Sequence, residues 1–154
     1  MALEPVKIRK ALFEDIPEMV SLLGELFSIE ADFIFDEQVQ TKGLALFLKD
    51  PEMRCIMVAS KKGEKVVGMA TAQLLVSTAK GSLVALVEDV VVSAPYHGHG
   101  IGHQIMVALE QWVKRHGGKR LQLLADKENR TGIDFYERED WSKTSLICLH
   151  KGYF

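Results

Sequence analysis

Residues 95–103 read Pro95-Tyr96-His97-Gly98-His99-Gly100-Ile101-Gly102-His103, a glycine-rich turn between an apolar run and an amphipathic pattern. We call this segment the glycine loop. Glycine lets a backbone approach a ligand closely, and a helix start directs several N–H groups outward. The loop therefore suits a pyrophosphate, although a plain structural turn can have the same composition. It lacks the Gly-Lys-Ser/Thr of a P-loop and does not open a dinucleotide-binding βαβ unit.

Upstream of the glycine loop, the pattern predicts one strand, two helices and a three-stranded meander. Residues 6–10 alternate apolar and basic side chains, and Asp15 and Pro17 mark a helix start whose apolar stripe runs to Phe27. A second helical pattern ends at Asp50-Pro51. Strands are predicted at residues 55–60, 66–77 and 83–92, with turns at 61–64 and 79–82.

Downstream of the loop, a helix is predicted to end near His116, followed by a strand at residues 121–125, a helix at 131–138 and a strand at 142–150. The resulting order is β-α-α-β-β-β-α-β-α-β. It predicts an α+β fold with a mixed, mostly antiparallel sheet flanked by helices. A length of 154 residues suits a single domain over 1–154.

Composition excludes several classes of partner. Lysine and arginine number 19 against 21 aspartates and glutamates, so the net charge of -2 argues against nucleic acid. No run approaches the roughly 18 apolar residues of a membrane helix, and the first nine residues carry charges, so we expect a cytoplasmic protein. Cys55 and Cys148 lie in apolar, strand-like runs and are predicted to be buried, reduced thiols.

Two motifs resemble the GNAT superfamily of acyl-CoA-dependent N-acetyltransferases. The family motif Gln/Arg-x-x-Gly-x-Gly/Ala overlays residues 97–102, with His97 where Arg or Gln is usual. The later motif Asn-x-x-Ala-x-x-Phe-Tyr is similar to the segment from Asn129 to Tyr136. The order of elements also matches the family along almost the whole chain. The resemblance implies an enzyme that moves an acetyl group from acetyl-CoA to an amine.

The resemblance also implies where acetyl-CoA, the co-substrate, would lie. Amides of the glycine loop would wrap the pyrophosphate, and N–H groups of the preceding strand would hold the thioester carbonyl and pantetheine. Asn129 would bond the pantetheine or begin the short helix as its N-cap. The predicted cofactor-binding residues are Val90, Val91, Val92, His97, Gly98, His99, Gly100, Ile101, Gly102, His103, Asn129 and Tyr136. The loop histidines favour phosphate contacts over a metal, so no metal is predicted.

Catalysis requires a base, because an alkylamine is protonated at neutral pH and then has no lone pair for attack. Glu88, on a nearly apolar strand just before the loop, is the predicted base, although an ion-paired carboxylate would look the same. Strand alternation places Asp89 on the opposite face and favours a structural role for it. By resemblance, Tyr136 is the general acid for the CoA thiolate, unless it is simply a core aromatic.

The acceptor is predicted to be a small-molecule amine with positive charge. The segment between the first two helices mixes carboxylates with aromatic side chains, which suits a cation, although a solvated acidic loop is equally consistent. Candidate substrate-binding residues are Glu30, Asp32, Phe33 and Asp36. Alternatives are a protein lysine or N-terminal acetyltransferase and a non-catalytic acyl-CoA-binding module. The apolar end, Gly152-Tyr153-Phe154, and exposed sheet edges suggest a homodimer.

Overall fold

The computed structural model describes residues 4–30, 32–62 and 65–152. Gly63 and Glu64 of one predicted turn lie outside these residues, as do Tyr153 and Phe154 of the apolar end. The chain divides into two compact units, Met1–Leu123 and Leu124–Phe154.

Among its described residues, the first unit contains three α-helices and five strands. The helices are α1 (Ile16–Phe27), α2 (Glu37–Leu48) and α3 (Ile101–Arg115). The strands are β1 (Lys7–Lys10), β2 (Arg54–Ser60), β3 (Val66–Ser77), β4 (Ser82–Val92) and β5 (Leu121–Leu123). Helix α1 has Pro17 in its first turn, where a missing N–H removes no helical bond. These bounds confirm the predicted elements, with β5 shorter than predicted.

The strands form one sheet in the order β1-β2-β3-β4-β5. The first three pairings are antiparallel and the β4–β5 pairing is parallel. This arrangement confirms the predicted mixed, mostly antiparallel sheet. The sheet core includes side chains from α1 and α2 packed on β2 and β3, among them Met19, Leu23, Val58 and Met69.

Helix α3 lies close to the sheet at Gly68. A Cβ there would be 2.9 Å from Ile105 Cδ1 and 3.3 Å from the carbonyl oxygen of Val91. A side chain at this position would require Ile105 and the strand to shift, so glycine permits this close approach. Trp112 and Leu109 continue the buried face of α3 away from this contact. The packing holds the helix that follows the glycine loop against the strands that precede it.

Strand β4 contains a β-bulge next to its acidic pair. Thr71 pairs with Glu88 and Met69 pairs with Val91, so one residue of β3 faces two residues of β4. Asp89 lies in the bulge with a φ of 51°. A bulge bends its strand and changes the direction of the side chains around it. The prediction that Glu88 and Asp89 alternate across the sheet depends on regular pairing, which the bulge interrupts at this point.

The second unit contains helix α4 (Arg130–Arg138), as predicted. The predicted strand at residues 142–150 is wrong, because the structure assigns this segment to no strand. An apolar run indicates only a tendency to form a strand. A strand also needs a neighbouring strand to hydrogen-bond its backbone N–H and C=O groups. The prediction of buried thiols is confirmed for Cys55 and wrong for Cys148, which is exposed in the same segment. No helix among the described residues is long and apolar enough to cross a membrane.

Candidate active site

The glycine loop presents its backbone to open space. Gly98 and Gly100 have φ values of 77° and 73°, and a Cβ on either would meet no atom within 4 Å. The first bond of α3 runs from the Gln104 N–H to the Gly100 carbonyl at 3.1 Å. Helix geometry therefore provides no acceptor for the N–H groups of Ile101 and Gly102. Such groups at a helix start suit an anionic phosphate.

His97 folds back onto the end of β4 instead of extending from the loop. Its Nε2 lies 2.6 Å from the carbonyl oxygen of Val92. The imidazole thus helps to close the loop at the position where the family usually has Arg or Gln. His99 and His103 are exposed on the same loop. Among the described residues, no group of three or more His, Cys, Asp or Glu side chains could hold a metal ion.

A contact from α1 joins the start of the loop. The Ser93 hydroxyl donates to Glu25 Oε1 at 2.9 Å, and the Ala94 N–H donates to Glu25 Oε2 at 3.3 Å. Sequence analysis missed Glu25, because 68 residues separate it from Ser93 and no local pattern pairs them. Only the folded chain brings α1 to this position.

Two neighbouring carboxylates influence Asp89 beside the β4 bulge. Burial, followed by the charges of Glu88 and Glu30, raises the pKa of Asp89 to about 6. Burial also raises the pKa of Glu88. The structure therefore brings Glu30, a predicted acceptor residue, within electrostatic range of the predicted base region. A negative potential at this place favours a cation and opposes a second anion.

The other predicted acceptor residues have different surroundings. Phe33 stacks on Phe27 with ring centroids 5.2 Å apart and leaves 46% of its surface exposed. Asp36 is the N-cap of α2, and its Oδ1 accepts from the N–H groups of Gln38 and Val39 at 3.0 and 3.2 Å. This capping gives Asp36 a structural role. Asp32 is exposed.

In the second unit, Asn129 and Tyr136 lie at the start and in the last turns of α4. Asn129 Oδ1 accepts from the Gly132 N–H at 3.1 Å, which confirms its predicted N-cap role. The Tyr136 ring makes edge contacts with Phe135 and Trp141, at centroid distances of 5.4 and 6.0 Å. Aromatic neighbours hold the ring in one orientation.

A bulged acidic strand leads into a glycine loop at a helix start on this mixed sheet, the combination that the sequence motifs linked by resemblance to acyltransferases. Residues 16–140 match the acetyltransferase (GNAT) family, and the chain belongs to that family. The family assignment confirms the predicted resemblance and the prediction of an acyltransferase. It covers both compact units in part.

Individual relatives agree with this assignment. The chain is 27% identical over 138 residues to an aminoalkylphosphonate N-acetyltransferase of Salmonella typhimurium, covering 90% of this chain and 86% of the relative. A possible acetyltransferase from Clostridium difficile 630 has a TM-score of 0.83 at 19% identity, covering 98% and 99% of the two chains. Glucosamine-6-phosphate N-acetyltransferase from Arabidopsis thaliana has a TM-score of 0.75 at 21% identity, covering 98% and 99%. The two structural likenesses concern the fold.

Proposed function

We propose that this chain transfers an acetyl group from acetyl-CoA to the amine of a small cationic molecule, by direct attack in a ternary complex. The observation that carries the proposal is the position of the β4 carboxylates immediately before the glycine loop. The two carboxylates of β4, suited to an ammonium ion, are followed 12 to 14 residues along the chain by the amides of Ile101 and Gly102, suited to a pyrophosphate. A transferase that joins these two substrates needs both kinds of site side by side.

The donor site is proposed to follow β4 and the loop. The open backbone at Gly98 and Gly100 and the N–H groups at the start of α3 support a pyrophosphate there. Backbone groups of Val90–Val92 would then hold the pantetheine and the thioester carbonyl. Such preorganised donors stabilise negative charge that develops on the carbonyl oxygen during attack.

The acceptor site is proposed to lie around Asp89, Glu88 and Glu30. Burial, and then the charges of Glu88 and Glu30, raise the pKa of Asp89, and a bound cation would favour its ionised form. The exposed face of Phe33, in the adjoining segment, adds an aromatic surface for the same charge. A second candidate acceptor is an aminoalkylphosphonate, which the Salmonella relative favours. A phosphonate anion would have to avoid these carboxylates.

In the proposed reaction, Glu88 takes a proton from the ammonium group, directly or through water. The free amine forms a bond to the thioester carbon, and the carbon–sulfur bond then breaks. Tyr136 gives its phenolic proton to the departing thiolate and regains a proton from solvent. The products are the N-acetylated amine and CoA with a free thiol. The nitrogen loses its second proton to solvent as the amide forms, which offsets the proton that Tyr136 regains, and the first proton passes from Glu88 to solvent.

The direct test is release of free thiol from acetyl-CoA in the presence of candidate amines. The panel contains diamines, polyamines, aminoglycosides, aminoalkylphosphonates and lysine peptides. Glu88→Gln should lower kcat about 100-fold or more, and Tyr136→Phe about 10-fold or more, because each removes a proton-transfer group. Glu14→Gln, an exposed carboxylate before α1, is the matched control and should be unchanged.

The outcomes separate the alternatives. Strong turnover with a cationic amine supports the proposal, whereas turnover only with the phosphonates favours the second candidate. Turnover only with lysine peptides would indicate a protein acetyltransferase. Binding of acetyl-CoA without turnover of any amine would indicate an acyl-CoA-binding module and remove the support for both catalytic roles.

We also propose a cytoplasmic location. Cys55 and Cys148 are both free, which suits a reducing compartment. Fractionation of cells that express a tagged chain should recover it with cytoplasmic markers. Recovery from an oxidising compartment would contradict this proposal.

A further inference from the structure

The contact between α1 and the residues before the glycine loop places a negative charge near a proposed phosphate site. Glu25 places a carboxylate beside the start of a loop that is suited to bind a polyanion. If Glu25 acted through its charge alone, it would repel the pyrophosphate and weaken binding. Its presence at this position therefore needs another physical reason.

The hydrogen bonds of Glu25 provide that reason. Ser93 precedes the short 3₁₀ turn Ala94–Tyr96, and its own side chain makes no capping bond to that turn. Glu25 accepts one bond from the Ser93 hydroxyl and another from the Ala94 N–H, at the residues where the chain leaves β4. One carboxylate thus takes the place of the missing cap.

The two ends of this short segment are held by different groups. The Ser93 N–H completes the sheet by donating to the Val67 carbonyl at 2.8 Å, and the Tyr96 N–H donates back to the Ser93 carbonyl at 2.9 Å. His97 bonds the Val92 carbonyl through its ring. Glu25 adds a contact from α1, in a different layer of the fold from the strands.

Helix α1 holds Glu25 in a fixed position. On the same helix, Leu22, Leu23 and Leu26 are buried in the sheet core, so their packing determines where the carboxylate lies. A loop that is held in one conformation before binding loses less entropy when its ligand arrives. We propose that Glu25 is a positioning residue for acetyl-CoA binding. It acts by fixing Ser93 and Ala94, the two residues immediately before the glycine loop.

The test measures CoA binding by calorimetry, and it rests on the proposed function because CoA is the probe. Ser93→Ala removes one hydrogen bond to Glu25 without changing any charge. It should raise the dissociation constant for CoA about threefold to tenfold. Ser93→Thr retains the hydroxyl and should bind nearly as the wild type does. Glu25→Gln keeps only one acceptor oxygen for two donors, the Ser93 hydroxyl and the Ala94 N–H, and should also bind more weakly, despite removing a repulsive charge.

Two further measurements separate positioning from general destabilisation. Melting temperatures of the four proteins should agree closely, because the contact is exposed and outside the core. In the acetylation assay, the KM for acetyl-CoA should rise with the dissociation constant, whereas kcat should stay within about twofold. Glu14→Gln, an exposed carboxylate before the other end of α1, should bind CoA like the wild type.

The contrary results are distinct. If Glu25→Gln binds CoA more tightly than the wild type, Glu25 acts through charge and the inference is overturned. Equal binding by wild type and Ser93→Ala overturns it as well, while the proposed function stands. If the wild-type protein binds no CoA at all, the proposed function and this inference fail together.

Discussion

Asp89 lies in the β4 bulge, and its surroundings raise the pKa of its carboxyl group. Its pKa of about 6 means that it loses its proton within the range in which an enzyme assay can be run. Burial and neighbouring negative charges both favour its protonated form in the folded protein. Folding is therefore less favourable when pH rises from about 4 to 6, because the unfolded chain releases this proton more easily than the native chain.

We expect this ionisation to appear in the binding of a cationic acceptor. The KM for the amine should rise as pH falls through about 6, because protonation removes one of the charges that attract it. Asp89→Asn should show a high KM at every pH and no such inflection. Glu88→Gln is the matched variant, with low kcat and an inflection that persists at lower pH. An unchanged KM in Asp89→Asn would contradict the assignment of this carboxylate to the acceptor site.

Asp15 is a contrasting carboxylate with a structural role. Its two oxygens accept from Arg9 Nη1 and Nη2 at 2.7 and 2.9 Å, and Oδ2 also accepts from the Leu12 N–H at 2.7 Å. The hydrogen bonds from Arg9 lower the pKa of this buried group. Its contribution to stability is therefore present above its unfolded pKa, near 3.8, and is lost as pH falls further.

Replacement of Asp15 should reduce stability in a pH-dependent way. Asp15→Asn should lower the free energy of unfolding by about 1.5–3 kcal/mol at pH 7, because it removes a charged acceptor of hydrogen bonds. Urea denaturation at several pH values measures the effect. The gap between variant and wild type should narrow below pH 4. A constant gap down to pH 3 would indicate that packing, and not charge, explains the loss.

At the scale of elements, the glycine loop and the start of α3 together form the proposed pyrophosphate site. The loop needs a positive φ at Gly100, which an alanine adopts only at a cost of about 1–2 kcal/mol. Gly100→Ala should therefore lose that stability and also bind CoA at least tenfold more weakly, because its Cβ and altered backbone disturb the N–H groups at the helix start.

Gly81→Ala is a matched control for this prediction. Gly81 also has a positive φ, of 58°, and a Cβ there would meet no atom within 4 Å, but it lies in the turn between β3 and β4. Both variants should melt at similarly reduced temperatures, whereas only Gly100→Ala should lose CoA affinity. Equal affinity in the two variants would remove the loop from the donor site.

At the scale of the whole molecule, we propose a homodimer. Leu146, Ile147 and Leu149 are 84%, 82% and 84% exposed within one short segment of the second unit. Apolar side chains grouped in this way are typical of interaction surfaces. Sedimentation at micromolar concentration should give twice the chain mass of 17.2 kDa, and Ile147→Lys should give a single chain mass. A monomeric wild type contradicts the proposal.

We also propose that residues 1–154 unfold as a single domain. The second compact unit, Leu124–Phe154, is shorter than the roughly 40 residues that a chain usually needs to fold alone. The family match from residue 16 to residue 140 also continues across the boundary between the units. Calorimetry should show one cooperative transition, and two separated transitions would contradict a single domain.

Local pattern alone determined most of the elements in this protein. The period of apolar residues located α1, α2 and α3, and runs of β-forming residues located the meander, because these signals depend on neighbours within one element. The motif around Gly100 identified the family for the same reason. The prediction of a strand at residues 142–150 was wrong, because an apolar composition forms a strand only where a partner strand is available for pairing.

The tertiary structure alone decided the relations between distant groups. It produced the β4 bulge that interrupts regular pairing at Glu88 and Asp89, because a bulge depends on pairing with β3. It brought Glu30 within electrostatic range of Asp89 and Glu25 to Ser93, across 59 and 68 residues of chain. Hydrogen bonds and charge interactions depend on distances in space, which one-dimensional spacing does not specify beyond a single helix or strand.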